Sequence, residues 1–426
     1  MNSLLSKILS AFHNPTLRNG LLFSLFSFVN KGFFFLLLLI IARFISPYDY
    51  GLLSVFGTVI MLVGYFQAMS TEGYLSVAFF KDGVFGVRQV FSGIIVVSLL
   101  VSAMLCIVLG IGGSFISVRI DLPLEILFIG ILISFFNVYF NLYLDYLRVK
   151  SDVFWYGILS CGNAVLNFIL TVILVQLLDF GWVGRVYAQG FCTVLVGLIG
   201  IVLLLKQNFL SRIDIKYFKK MLLWGIPLIP HLGAIFIRQG GDTYIIKQFY
   251  DLTDVGLFNF AYTFTSAITM VGFGFNQSFS VDIYKTLGDK TISESTKLSV
   301  LKQQRNFLYR IFIGAAIFIS LCVVFVIPLF FEKYVAAVKY FYILSFYGLF
   351  VCFYLIYSPY LFFFQETKKI MYITFGSSVL HLLVSLWLTR YSLLLTCVLY
   401  VATQFLQFFL VRMLVKRTLK LKLING

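Results

Sequence analysis

Charge is what this sequence has least of. Only 12% of its 426 residues are Asp, Glu, Lys or Arg, against roughly 25% in soluble globular chains. Acids are scarcest: 17, against 33 Lys and Arg. A solvated globular fold is excluded. Histidine is nearly missing, and His13, His231 and His381 are too scattered to announce a metal site. The six cysteines, Cys106, Cys161, Cys192, Cys322, Cys352 and Cys397, all fall inside apolar runs. They read as small packing residues rather than a disulfide framework. No catalytic or phosphate-loop signature occurs. Short alternating apolar segments are also lacking, which argues against a β-barrel.

What is present is apolar: 61% hydrophobic and 19% aromatic residues. The runs are each about 20 residues long, the length that carries a helix across about 30 Å of hydrocarbon. The chain therefore reads as an all-α polytopic membrane protein of about twelve spans. They fall near 20–43, 50–70, 90–110, 123–145, 154–177, 184–205, 222–246, 255–277, 307–330, 340–364, 370–389 and 393–414. Ahead of them, Leu4, Leu5, Ile8, Leu9 and Phe12 share one helical face. Residues 1–17 thus suggest an interfacial amphipathic helix, with no clear cleavable signal. The expected organisation is an N-terminal six-helix lobe at 18–205, a basic cytoplasmic linker at 206–221, a C-terminal lobe at 222–414 and a basic tail at 415–426.

Lys and Arg set the orientation. One side carries only Arg43, Arg119, Arg185, Lys247, Lys333, Lys339 and Arg390. Lys31 and Arg238 lie inside spans, and the remaining 24 of the 33 fall on the other side. The positive-inside bias places both termini in the cytoplasm. It also accounts for the +16 charge without nucleic acid, because the basic residues are spread over many short loops. Trp155, Trp182, Trp224 and Trp387 fall near span ends, as interface anchors do. The loops on the outer side are too short for a folded domain.

The chain repeats itself at an offset of 205 residues. The stretch from Asn19 aligns without a gap on that from Trp224, so that Gly20 meets Gly225, Asp49 meets Asp254, Gly51 meets Gly256 and Leu52 meets Leu257. Asp49 and Asp254 fit the first turns of spans 2 and 8, where a carboxylate complements the helix dipole. Six spans separate the copies, so both keep the same orientation, as in parallel-repeat transporters. Lys31 in span 1 aligns with Phe236, two residues from Arg238. A cation at mid-bilayer costs roughly 2.5–3.5 kcal/mol on insertion scales. Two at similar depth suggest a cationic central cavity between the lobes. Arg238 has Asp242 one turn away, whereas Lys31 has no acid at that spacing.

Other polar residues sit in or beside the spans. Asn30, Asn137, Asn141, Asn163, Asn167 and Asn259 are candidate sugar contacts, although interhelical hydrogen bonding would use the same amides. Glu72, Asp145 and Asp242 are candidate ion-coupling carboxylates or ordinary boundary charges. No metal-ligand set emerges.

Two stretches carry a resemblance. "ARFISPYDYGLLSVFGTVI" has Arg43, then Ser46-Pro47, then Asp49 before Tyr50-Gly51-Leu52. "GIPLIPHLG" with "GDTYIIKQFYDLTDVGLFNFAY" supplies Gly225, Pro227, Pro230, Asp242, Asp254, Gly256, Leu257, Ala261 and Tyr262. Both resemble bacterial polysaccharide-biosynthesis flippases of the Wzx, O-antigen type, within the multidrug/oligosaccharidyl-lipid/polysaccharide (MOP, MATE-like) exporter superfamily. "YLRVKSDVFWYG" after span 4 is similar to the loop there. The resemblance implies two pseudo-symmetric six-helix lobes in a MATE-like V shape, located in the bacterial inner membrane. It implies that undecaprenyl-diphosphate-linked oligosaccharide moves from the cytoplasmic to the periplasmic leaflet by alternating access. Lys31 and Arg238 are the residues here that could line its cationic cavity. No cofactor is expected beyond proton or sodium coupling. The expected partners are the lipid-linked substrate, membrane lipids, a polysaccharide polymerase and a chain-length regulator, with the chain itself working as a monomer. Three alternatives stay open: a MATE-type drug/cation antiporter, a peptidoglycan-precursor flippase and, from a different class, a membrane polymerase or glycosyltransferase.

Overall fold

The computed structural model describes residues 15–226, 229, 233, 236–289, 291–364 and 366–421. Among them no strand occurs, and the chain is a succession of helices. The first seven are α1 (Pro15–Phe44), α2 (Pro47–Gln67), α3 (Tyr74–Ile120), α4 (Leu124–Val149), α5 (Val153–Val172), α6 (Gly181–Lys206) and α7 (Ile215–Gly225). After a partly described stretch come α8 (Asp242–Phe249), α9 (Leu252–Gly288), α10 (Glu294–Phe330), α11 (Val338–Phe363), α12 (Thr367–Leu388) and α13 (Leu393–Leu419). Ten helices in the described residues are long and apolar enough to cross a membrane. They coincide with expected spans 2–6 and 8–12. The first expected span lies within α1. The seventh falls across the partly described stretch, and the expected helix over residues 1–17 lies outside the described residues up to residue 14.

Local chemistry sets the helix starts. The Ser46 hydroxyl accepts from the Asp49 N–H at 3.1 Å and donates to the Asp49 carboxylate at 2.8 Å. Asp49 in turn accepts from the Ser46 N–H at 3.4 Å, which completes a capping box at the start of α2. The repeat partner of Ser46 is Asp251, which caps α9 through the Asp254 N–H at 2.9 Å. Asp49 and Asp254 occupy the first turns of α2 and α9. The aligned residues Ser46 and Asp251 therefore do the same capping work. Within α3, Gly83 takes φ 59° and ψ −141° and bends a 47-residue helix. A side chain rarely adopts that conformation.

The chain divides into two compact units. The first comprises residues up to Ile45 and Val55–Leu232; the second comprises Ser46–Ser54 and the chain from Gly233 onward. Helix α2 thus begins in the second unit. In the first unit, α4 and α6 meet backbone to backbone. A Cβ on Gly197 would lie 2.5 Å from the Phe136 carbonyl oxygen, and one on Gly200 2.9 Å from that of Tyr139. Small residues give this close approach in lipid, where burial of apolar surface supplies no drive between helices. Around the seam lie Phe91, Ile94, Tyr139, Leu142 and Leu147, all buried.

In the second unit, α9, α11 and α13 form the core, with Phe312, Cys352, Ile356, Tyr360 and Val411 buried. The repeat motifs meet there. A Cβ on Gly51 would stand 2.0 Å from the Leu252 carbonyl oxygen, and one on Gly256 1.8 Å from that of Pro47. Pro47 and Leu252 are themselves repeat partners. The two copies of the motif therefore touch reciprocally, each glycine against the other copy's first turn. Tyr50 donates to or accepts from Thr263 at 2.9 Å beside this crossing, and Phe260 packs on Tyr334 at 4.2 Å.

Candidate functional site

The second unit holds a buried acid. A π-helical segment, Ile237–Gly241, precedes Asp242 at the start of α8. Such segments cluster at functional sites. Asp242 is 1% exposed, as is His381 of α12. His381 Nε2 meets Asp242 Oδ2, and Ser385 Oγ, one turn further along α12, donates to Asp242 Oδ1. The other imidazole nitrogen, Nδ1, lies 3.0 Å from Thr403 Oγ1 on α13. Thr403 also reaches the Leu399 carbonyl at 2.8 Å. Ser385 continues to Thr389 at 3.2 Å, and Thr396 donates to Thr389 at 3.0 Å. The Tyr400 ring stands edge-on to His381, with centroids 4.8 Å apart. Three helices thus enclose an acid–imidazole pair whose polar atoms are hydrogen-bonded, as burial requires.

The first unit holds a buried cation. Arg185, in the second turn of α6, is 4% exposed. Its Nη1 donates to Asn167 Oδ1 and, at 3.2 Å, to Thr171 Oγ1, both on α5. The guanidinium carbon lies 6.0 Å from the centroid of Phe34 on α1. Among the described residues no carboxylate pairs with it. Nearby on α5, Asn163 Oδ1 is buried with no hydrogen-bond partner among the described residues. Asn30 of α1 donates to Ser160 of α5 at 3.2 Å. Charge counting places Arg185 among the outer-side cations; the structure adds that its side chain is buried. A helix-end arginine can fold inward, and counting along the chain does not register that.

The other expected residues separate. Asn30, Asn163 and Asn167 gather along α1 and α5 of the first unit with Arg185. Asn137 and Asn141 stand one turn apart on α4, both exposed. Asn259 belongs to the second unit, accepting from Thr243 at 3.1 Å and donating to the Val255 carbonyl at 2.9 Å. The side chains of Lys31 and Arg238 lie outside the described residues, as do His13 and His231. Of the three expected acids, Asp145 pairs with Arg148 at 2.8 Å near the end of α4. Glu72 lies in the turn between α2 and α3; burial, reinforced by the charge of Asp145, pushes its carboxyl above the usual range. Of the three, Asp242 is the one that meets an imidazole. Sequence reading missed its partner, because His381 lies 139 residues away. The spacing His381, Ser385, Thr389 at successive turns was the one available sign of a polar stripe.

Comparison with known proteins adds three findings. Residues 16–281 match the family described as "Polysaccharide biosynthesis protein". The "Lsg locus putative protein 1" of Haemophilus influenzae (strain ATCC 51907 / DSM 11121 / KW20 / Rd) is 23% identical over 263 residues. That match spans 61% of this chain and 63% of the relative's length. Among solved structures, the inward-facing conformation of a multidrug resistance MATE family transporter of the MOP superfamily superposes with a TM-score of 0.68 at 16% identity, covering 91% of this chain and 95% of that one. A MOP superfamily transporter from Pyrococcus furiosus, described as having a binding pocket of reverse polarity, gives 0.57 at 14% identity, with 96% of each chain covered. At these identities the likeness establishes the fold.

Proposed function

The chain belongs to the polysaccharide biosynthesis protein family and has the multi-pass fold of MATE transporters of the MOP superfamily, and from that premise we propose that it is a flippase for undecaprenyl-diphosphate-linked oligosaccharide. It moves an O-antigen-type or similar repeat unit from the cytoplasmic to the periplasmic leaflet of the bacterial inner membrane, with both termini in the cytoplasm. The prenyl tail stays in lipid while the head group crosses by alternating access through a cationic cavity. The work is transport rather than bond formation.

Arg185 is the observation that carries this reading. It is a buried guanidinium with amide and hydroxyl partners and no carboxylate among the described residues. A buried cation without an acid is costly unless an anion visits it. Diphosphate is the substrate's anion, and a guanidinium offers it a planar fork of donors. Lys31 and Arg238 would supply further positive charge. Asn30, Asn163 and Asn167 then offer amides beside Arg185 for the sugar. A cationic drug would find repulsion at this position, which ranks antiport of such drugs lower. Glu72 and Asp145 are weaker coupling candidates than Asp242, with coupling to protons or sodium. The chain acts as a monomer that hands its product to a polysaccharide polymerase and chain-length regulator.

The test is restoration of surface polysaccharide in a bacterial strain lacking its own flippase, with membrane levels of each variant measured. Wild type restores export; Arg185→Ala, at equal membrane level, loses at least about tenfold, the equivalent of roughly 1.4 kcal/mol of binding. Arg185→Lys keeps the charge but loses the fork and recovers only in part. Equal export by Arg185→Ala would remove the diphosphate role from this residue. Failure of wild type with several matched repeat units would overturn the flippase reading.

A further inference from the structure

We propose that Asp242, His381 and Thr403 form a proton-exchange site inside the second unit, one that gains and loses a single proton with every hydrogen bond satisfied in both states. The proposal deepens the transport reading above and rests on it only for the use made of the proton.

The geometry defines the two states. Asp242 Oδ1 accepts from Ser385, which receives from Thr389, which receives from Thr396. Three hydroxyls in series thus run to the carboxylate. Oδ2 faces His381 Nε2, so Nε2 carries a hydrogen. The second imidazole nitrogen decides the proton count. In the loaded state Nδ1–H donates to Thr403 Oγ1, and the Thr403 hydroxyl donates to the Leu399 carbonyl 2.8 Å away. The pair is then an imidazolium beside a carboxylate, with no net charge. To unload, the Nδ1 proton leaves, and the Thr403 hydroxyl turns from the carbonyl to donate to Nδ1 across the same 3.0 Å. The carbonyl keeps its own helical partner, so no donor is stranded. A hydroxyl that both donates and accepts is required here.

The surroundings suit exchange. The other titratable groups facing the pair are Tyr400 and Cys397 of α13, with Tyr262 of α9 and Tyr347 of α11 beside Tyr400. Asn259 and Thr243 close the α8–α9 side without charge. Among the described residues no lysine, arginine or second carboxylate pairs with either member. Arg238 precedes Asp242 by one turn, with its side chain outside the described residues. Unloading leaves one uncompensated negative charge in an apolar interior, which is expensive. The proton therefore departs only in a conformation that admits water or a cation, which is what couples a site to transport. The hydroxyl row from Ser385 through Thr389 to Thr396 leads to the turn between α12 and α13. In the proposed orientation that is the outer side, whereas the exchanging proton sits on the Thr403 side of the imidazole.

Three histidines in the chain make the site observable. The full-length protein carrying His13→Gln and His231→Gln, reconstituted in lipid with ¹⁵N-labelled histidine, leaves His381 as the sole imidazole signal. We expect one titration by NMR in which Nε2 keeps its hydrogen and only Nδ1 exchanges. Thr403→Val, which cannot accept from Nδ1–H, lowers the proton affinity about tenfold, the scale of a hydrogen bond to a charged group. Thr403→Ser restores it. The same proteoliposomes, loaded with lipid-linked oligosaccharide, show export accelerated by a pH gradient and unaffected by a sodium gradient, and Thr403→Val loses the pH response. A His381 signal that stays neutral at all pH values, or that answers to sodium instead, overturns the proton site. A titrating His381 in a wild-type protein that moves no oligosaccharide leaves the site standing and sinks the flippase reading.

Discussion

Replacing Gly51 with alanine should separate two helices that nothing else can hold apart more gently. The new Cβ would sit 2.0 Å from the Leu252 carbonyl oxygen, where real Cβ atoms keep at least 3.0 Å. Neither group can turn away, because the obstacle is backbone on one side and the Cβ is fixed to backbone on the other. The first turns of α2 and α9 must part by about 1 Å, and the loss extends to the neighbouring Tyr50–Thr263 hydrogen bond and the Tyr50, Phe260 and Tyr334 ring cluster. Overpacking of this kind costs about 1–3 kcal/mol, and the lost contacts place Gly51→Ala at the upper end. Gly57 and Gly64 on the same helix have nothing within 4 Å of a Cβ; alanine there should be neutral or stabilise by about 0.5–1 kcal/mol through helix propensity. Thermal unfolding in detergent can be followed by thiol labelling, since Cys352 and Cys397 are buried in the second unit. The labelling midpoint should fall for Gly51→Ala and Gly256→Ala and hold for Gly57→Ala. Because one parting of the helices accommodates both methyl groups, the double variant should cost less than the two singles together. Equal midpoints for Gly51→Ala and Gly57→Ala would refute the close crossing.

Two further outcomes follow from the first unit. Glu72 has its carboxyl pushed up by burial, with Asp145 adding to it, so the folded state binds its proton more tightly than the unfolded one. That stabilisation is complete below the ordinary value of 4.5 and is lost as pH rises through the raised value. Acidification across that window should raise the unfolding temperature of wild type, and Glu72→Gln should flatten the dependence; an unchanged pH profile would exclude Glu72 as its source. Gly197→Ala places a Cβ 2.5 Å from the Phe136 carbonyl oxygen in the α4–α6 seam, while Gly162 on α5 has open space. The first should lower stability by about 1–3 kcal/mol, read by labelling of the buried Cys192, and Gly162→Ala should not.

Much of the fold is legible along the chain because membrane insertion is a one-dimensional problem. A run of about 20 apolar residues must become a helix whose backbone bonds are internal, so hydropathy alone located the ten spans that the described residues display. Helix starts are equally local: Ser46 with Asp49, and Asp251 with Asp254, cap through atoms three residues apart. The 205-residue repeat showed in identities that later proved to be a reciprocal contact of Gly51 and Gly256.

The chemistry of the site was less legible. His381 looked like a stray histidine, and Arg185 looked like one more cation at a span end. Asp242, His381 and Thr403 are brought together by α8, α12 and α13, across separations of 139 and 22 residues. Arg185 reaches Asn167 and Thr171 across a helical turnaround. By itself the sequence determined where the ten apolar helices of the described residues lie, since that depends on transfer from water to lipid residue by residue. Which polar atoms face one another was decided only by tertiary packing. A hydrogen bond needs its two atoms within about 3 Å, and that distance is set by how whole helices rotate and cross.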